Sequence, residues 1–253
     1  MSATPHAATI PDARTRWRLV ALMVAVALFA VLWIGGVVSA WLGLARADEG
    51  WLASLFLLLA GLVVLLGART RRGVLALGAV ALLGFAVEAV GVRTGFPFGA
   101  YVYTGVLRPQ LLGVPVVMGF AWMALVAYAC DLALRLRLPA WPTAVFAALW
   151  TTAIDLVIDP LAANHFGYWT WAHKGTYYGI PFTNFVGWFF TALLACRVTV
   201  MHARPSFWAG FVGTAILLFF AANALAHSLP LVALIGFALC AARIAVRFVP
   251  AQD

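Results

Sequence analysis

Three carboxylates, Glu88, Asp155 and Asp159, interrupt the apolar runs of this chain in a way that points to proton chemistry. An ionisable group surrounded by hydrocarbon is costly to keep, and its presence there is a reason to look for function. Asp155 and Asp159 stand four apart. A helix puts them on one face, roughly 6 Å apart along its axis. Two carboxyls that close need not both ionise: one can hold a proton as an acid while the other serves as a base. Aromatic faces nearby can stabilise a transient cation. The set suits protonation of an alkene to a tertiary carbocation, followed by capture of water. It suits proton-coupled transport of a small solute equally well.

The elements that must position these groups are membrane helices. The chain is 65% hydrophobic and 9% charged, a balance that excludes a soluble domain of 253 residues. A span needs roughly 20 mostly apolar residues. Eight such runs fit, at 18–42, 51–68, 73–92, 113–134, 140–159, 181–202, 206–226 and 229–247, with Pro160 expected to stop the fifth. The fold class is therefore all-α, a polytopic membrane protein. Residues 1–16 read as a disordered polar tail and 17–250 as one membrane-embedded domain. The first run follows Arg14, Arg16 and Arg18 but is too long for the core of a cleaved signal.

Basic residues orient the spans. With the N-terminus inside, twelve Arg fall on one face, while Arg46, Arg93, Arg108 and Lys174 fall on the other. The basic excess marks the cytoplasmic side, so both termini are expected there. The net charge of +8 then reflects loops facing an anionic leaflet and implies no nucleic-acid partner. Cys130, Cys196 and Cys240 lie in apolar runs without a CxxC and read as small buried hydrophobes.

On this topology the polar groups gather towards the outer face. Glu88 lies about one turn from the end of run three. Asp155 and Asp159 end run five, Asn184 and Trp188 share a stripe of run six, and Asn223 and His227 end run seven. The longest loops, 93–112 and 160–180, also lie outside and are rich in Gly, Pro and aromatics. They form either an interfacial aromatic belt or a lid folded over a pocket, where irregular backbone is tolerated because protein covers it. A purely structural reading pairs Glu88 with Arg93 and Asp155 with Lys174, and has Asp159 merely end its helix. Asp131, one turn before Arg135 at the inner end, reads as half of a structural ion pair.

Several chemistries lack their residues. There is no HxxxH or HxxH pair for a histidine-rich di-iron site. Walker and Rossmann glycine patterns are absent, as is GxSxG, and there are no acid-rich repeats to hold a magnesium diphosphate. What fits is acid–base chemistry on a lipid-soluble substrate, with no metal.

The motifs themselves resemble a known family. Glu88-x-x-Gly-x-x-Thr-Gly-x-Pro-Phe-Gly-x-Tyr-x-Tyr ends at Tyr103 and is followed by Gly113-Val-Pro115, Asp155-x-x-x-Asp159-Pro160 and Trp169-x-Trp171. Gly175-x-Tyr-Tyr-Gly-Ile-Pro-Phe-x-Asn184-Phe-x-Gly-Trp188 completes the set. This is similar to the integral-membrane carotenoid biosynthesis family that includes the CruF-type carotenoid hydratases. The resemblance covers about residues 88–190; the first two and last two spans match in hydropathy only. It implies addition of water to the terminal double bond of an acyclic carotenoid end group, giving a tertiary alcohol, without a cofactor. The implied substrates are lycopene- or γ-carotene-like C40 compounds or bisanhydrobacterioruberin-like C50 compounds. Membrane lipids and other carotenoid-pathway enzymes are the candidate partners, and the cell membrane is the expected location. In this scheme Asp155 is the acid, and Asp159 or Glu88 orients and deprotonates the attacking water. Asn184 holds that water, and Trp169, Trp171, Tyr177, Tyr178 and Trp188 line the cation pocket. Phe98, Tyr101, Tyr103 and Asn223 complete the candidate substrate-binding set. A non-catalytic carotenoid-binding protein and a proton-coupled transporter remain as alternatives.

Overall fold

A computed structural model of the chain describes residues 13–44, 50–200 and 205–246. These residues form eight helices: α1 (Ala13–Leu42), α2 (Gly50–Gly67), α3 (Arg71–Thr94), α4 (Val117–Arg135), α5 (Ala140–Asn164), α6 (Phe182–Val200), α7 (Phe207–Ala226) and α8 (Pro230–Ala245). A chain this apolar must satisfy its backbone hydrogen bonds internally, and a helix does so within one segment. Seven of the helices are long and apolar enough to cross a membrane. The eighth, α8, has 16 residues, about 24 Å of helix against a hydrocarbon core of about 30 Å. The break before it falls where Ser228, in the left-handed region at φ 58°, and Pro230 punctuate the run. The polar tail expected over 1–16 lies mostly outside the described residues, and its last part, 13–16, belongs to α1.

The middle of the bundle is α4, which packs on α2, α3, α5, α6 and α7 and is buried along most of its length. Small residues let its neighbours approach closely. A Cβ on Gly213 of α7 would lie 2.0 Å from the Tyr128 ring of α4. All three cysteines are buried and free.

Contacts at the ends of α3 and α5 hold the acid-bearing segments in place. α3 starts where Thr70 Oγ1 accepts from the Gly73 N–H at 3.0 Å. It stops at Gly95, whose φ of 75° suits glycine and whose N–H bonds the Gly91 carbonyl. α5 departs from the sequence expectation: Pro160 does not end it, and the helix runs on to Asn164. A proline inside a helix orphans the carbonyl four residues back. That carbonyl, of Leu156, instead accepts the Tyr177 hydroxyl at 2.9 Å. A loop residue thus replaces the missing backbone donor, and Asp159 sits inside a continuous helix.

At the arginine-rich end, Asp131 of α4 meets Arg135 Nη2 at 3.1 Å and Arg243 Nη2 of α8 at 2.5 Å. It also accepts the Ser206 N–H at 2.7 Å. The ion pair expected with Arg135 is present, and the sequence-distant Arg243 makes the buried half of it. Arg18 of α1 reaches the carbonyls of Leu66 and Ala68 at the end of α2.

At the other end the loops fold back over the bundle. Strand β1 (Tyr101–Tyr103) pairs antiparallel with β4 (Trp169–Trp171), with Tyr101 opposite Trp171 and Tyr103 opposite Trp169. Between them in sequence, β2 (Gln110–Leu111) and β3 (Val114–Pro115) form a small hairpin. The two-residue period of a strand sends Tyr101, Tyr103 and Trp169 inward and leaves Val102 and Thr170 exposed. The paired loops thus cover this end of the bundle as a lid.

Two substitutions probe this framework. Asp131→Ala leaves the buried Arg243 guanidinium without its carboxylate and is expected to cost about 3–5 kcal/mol; a detergent-solubilised melting curve unchanged from the parent would refute the pairing. Tyr177→Phe removes the donor that answers Pro160. It should cost roughly 1–3 kcal/mol and speed backbone hydrogen exchange around residues 160–164, which exchange mass spectrometry reads directly.

Candidate active site

The three carboxylates expected from sequence converge beneath the β1–β4 ribbon, and each is buried: Glu88 4%, Asp155 0% and Asp159 1% exposed. None is neutralised by a cation. Among the described residues the ion pairs are those of Asp131, so the pairings of Glu88 with Arg93 and of Asp155 with Lys174 do not form. Neutral donors satisfy the acids instead.

Glu88 is gripped by three of them. Trp122 Nε1 of α4 donates to its Oε1 at 2.9 Å, while the hydroxyls of Tyr103, at 2.9 Å, and Tyr101 donate to its Oε2. Burial, with Glu88 alongside, pushes both phenols far above their ordinary range, so they stay protonated donors. The glycine three residues after Glu88 in the sequence motif has a steric reason: a Cβ on Gly91 would sit 2.9 Å from the Tyr101 hydroxyl. One turn before Glu88, a Cβ on Gly84 would lie 2.5 Å from Trp122. The stripe Gly84–Glu88–Gly91 clears space for the donors on either side of its acid.

Asp155 and Asp159 are joined through α6. The Asn184 amide nitrogen donates to Asp155 Oδ2 at 2.7 Å and to Asp159 Oδ2 at 2.6 Å. Trp169 Nε1, on the lid, donates to Asp159 Oδ1 at 2.8 Å. Five of the six carboxylate oxygens of the cluster therefore have donors. The sixth, Asp155 Oδ1, is buried with no partner among the described residues.

Aromatic rings pack around the cluster. Trp188 of α6 stacks on Trp122 at 4.3 Å. Phe98 lies beside both Trp122 and Tyr101, at 6.3 and 6.2 Å. Trp171 packs on Tyr101 at 5.1 Å, and its Nε1 is also buried without a partner among the described residues. Gly187 admits the loop to α6, since a Cβ there would meet the Phe98 ring at 2.7 Å and the Pro97 carbonyl at 2.9 Å. α6 thus carries the amide, the close approach and the indole on one stripe.

Not every expected residue joins the cluster. Tyr177, its hydroxyl pushed up to about 12 by burial, serves the Leu156 carbonyl. Tyr178 holds a left-handed φ of 49°, and its carbonyl accepts the Asn164 amide at 2.8 Å. Asn223 donates to the Phe219 carbonyl of its own helix and lines a separate groove with His165 and His227. Conversely, Trp122 was not among the residues expected from sequence. Its signal was available: a lone indole in an apolar membrane run needs an acceptor.

Comparison with known proteins bears on the same residues. The sequence model of a family described as carotenoid biosynthesis protein matches residues 49–247. A bisanhydrobacterioruberin hydratase of Haloarcula japonica is 37% identical over 130 residues, a stretch that covers 49% of this chain and 44% of that relative. No solved structure matches the chain. The family match runs from just before α2 to the end of α8 and takes in every residue of the carboxylate cluster and its lid, so this chain belongs to the carotenoid biosynthesis protein family.

Proposed function

We propose that the chain is a carotenoid hydratase of the cell membrane that adds water across the terminal double bond of an acyclic carotenoid end group. The observation that carries this reading is the free Asp155 Oδ1 inside an otherwise saturated carboxylate cluster. Like charges this close, with no cation beside them, do not both ionise, so one of the Asp155/Asp159 pair holds a proton. Asp155 is the member with an oxygen left to present that proton to a substrate. Asp159 has both oxygens occupied by Trp169 and Asn184, which hold it in place.

The reaction then runs in two proton transfers. Asp155 delivers its proton to the less substituted carbon of the terminal alkene, and the π pair forms the new C–H bond. The tertiary cation left behind lies among the faces of Trp122, Trp188 and Phe98, whose quadrupoles attract it. Water attacks the cation and forms the C–O bond. The oxonium proton passes to Asp159, and return of that proton to Asp155 resets the pair. Atoms balance as alkene plus water to alcohol, and no electrons are gained or lost. Glu88 carries three donors, from Tyr101, Tyr103 and Trp122, against two on Asp159, which suits fastening the lid better than accepting the water proton. In the same way Asn184 binds the two aspartates directly, and its role is to hold them in register.

The relative's printed name supports a C50 acyclic substrate, bisanhydrobacterioruberin, for this chain as well. A lycopene-like C40 end group presents the same trisubstituted alkene and fits the same chemistry.

Two measurements test the reading. Expression in a lycopene-producing bacterium, or in one making the C50 precursor, should give pigments heavier by one water per modified end with unchanged visible absorption. Unchanged pigment masses from both hosts, with the protein verified in the membrane, would reject hydration. Asp155→Asn should lose roughly 10²–10⁴-fold in turnover at normal membrane abundance; parental turnover in that variant would remove Asp155 from the acid role.

A further inference from the structure

A cavity of about 630 Å³ opens on the lid side of the bundle, lined by α1, α2, α7 and residues 164–168. None of the three site carboxylates lines it. Its long walls are apolar, with Val31, Leu32, Phe56 and Phe219 among them. Its polar end holds His165, His227, Asn223 and Tyr168. The two imidazoles face one another, ring centres 4.6 Å apart. Burial, and secondarily His227, push His165 below the usual histidine range, which favours its neutral ring. The Asn223 amide N–H is taken by the Phe219 carbonyl, which leaves its side-chain oxygen as an acceptor. No Arg, Lys, Asp or Glu is among the described residues of the lining.

The size and character are those of a small-molecule site: apolar walls and a few convergent polar groups. The polarity selects among membrane-soluble occupants. A phosphate headgroup would find no Arg or Lys among the described residues of the lining, and a pure hydrocarbon would leave the imidazoles and amide unsatisfied. An uncharged hydroxyl can donate to one neutral imidazole and accept from the other. The groove also adjoins the carboxylate cluster through the backbone. Tyr168 stands in its wall, and the next residue, Trp169, donates to Asp159.

We propose that this groove is a second ligand site, taking a long acyclic isoprenoid that ends in an uncharged tertiary hydroxyl. The site stands on its own geometry; only the identity of the alcohol, as a hydrated end group released from the neighbouring carboxylate site, rests on the hydratase reading. The groove then receives the alcohol by its hydroxyl while the polyene stays in the apolar channel, which favours departure of product over its return to the acid.

The test uses the full-length protein in lipid nanodiscs and a C20 acyclic isoprenoid tertiary alcohol bearing a photoreactive diazirine. Crosslinked peptides are mapped by mass spectrometry, and hydration turnover is measured separately. Labelling is expected in α1 and in residues 219–227. Gly35→Trp fills the groove from a position where an added Cβ meets nothing within 4 Å. That change, and the pair His165→Leu with His227→Leu, should each cut labelling by roughly 10-fold, about the worth of one or two hydrogen bonds. Asp155→Asn should leave labelling intact. Competition by the matching hydrocarbon or by phosphatidylglycerol as effective as that of the unlabelled alcohol would overturn the proposal, as would labelling indifferent to both groove variants. Intact labelling without turnover in the parent upholds the groove and counts against the hydratase reading alone. Absent labelling with turnover intact overturns the groove alone.

Discussion

Burial of three carboxylates without a cation is the constraint on which the lid end of this protein depends. An acid in a low-dielectric interior needs donors, and here each donor is neutral. They come from α4 (Trp122), α6 (Asn184) and the two strands of the lid (Tyr101, Tyr103 and Trp169). Satisfying the acids therefore brings four separate pieces of chain to one place. The β1–β4 pairing sets the alternation that turns Tyr101, Tyr103 and Trp169 inward together. The glycines at 84, 91 and 187 remove the side chains that would keep the donors apart.

Asp131 shows the other way to bury an acid. It is as buried as Glu88, but Arg135 and Arg243 neutralise it and a backbone N–H completes its shell. A carboxylate held between two guanidiniums ties α4 to α8. The acids under the lid, bonded to neutral groups, are not fixed in that way. The same residue type is thus clamped by guanidiniums at one end of the bundle and gripped by neutral donors at the other.

Much of this was legible in the chain. The apolar runs gave the helices closely, because backbone in hydrocarbon has few options. The i, i+4 spacing put Asp155 and Asp159 on one face, and the stripe of α6 placed Asn184, Gly187 and Trp188 together. Pro160 misled, since a helix can continue through proline when another group answers the orphaned carbonyl, and Tyr177 lies too far along the chain for a local rule to see it. Asn223 does not bond the acids; it lines a separate groove with His165 and His227, and shared depth along two helices does not bring their polar groups together.

By itself, the sequence determined that the protein is a bundle of membrane-spanning helices, that Glu88, Asp155 and Asp159 lie near one end of it, and which motifs mark its family. Each of these depends on composition and on spacing within one segment. Only the tertiary structure decided which acid has an oxygen free, that Trp122 belongs with Glu88, that Arg243 completes the Asp131 pair, and that the histidines border a second cavity. Those outcomes depend on contacts between segments dozens of residues apart, and a carboxylate's behaviour follows from what touches each of its oxygens, which no spacing along a single helix records.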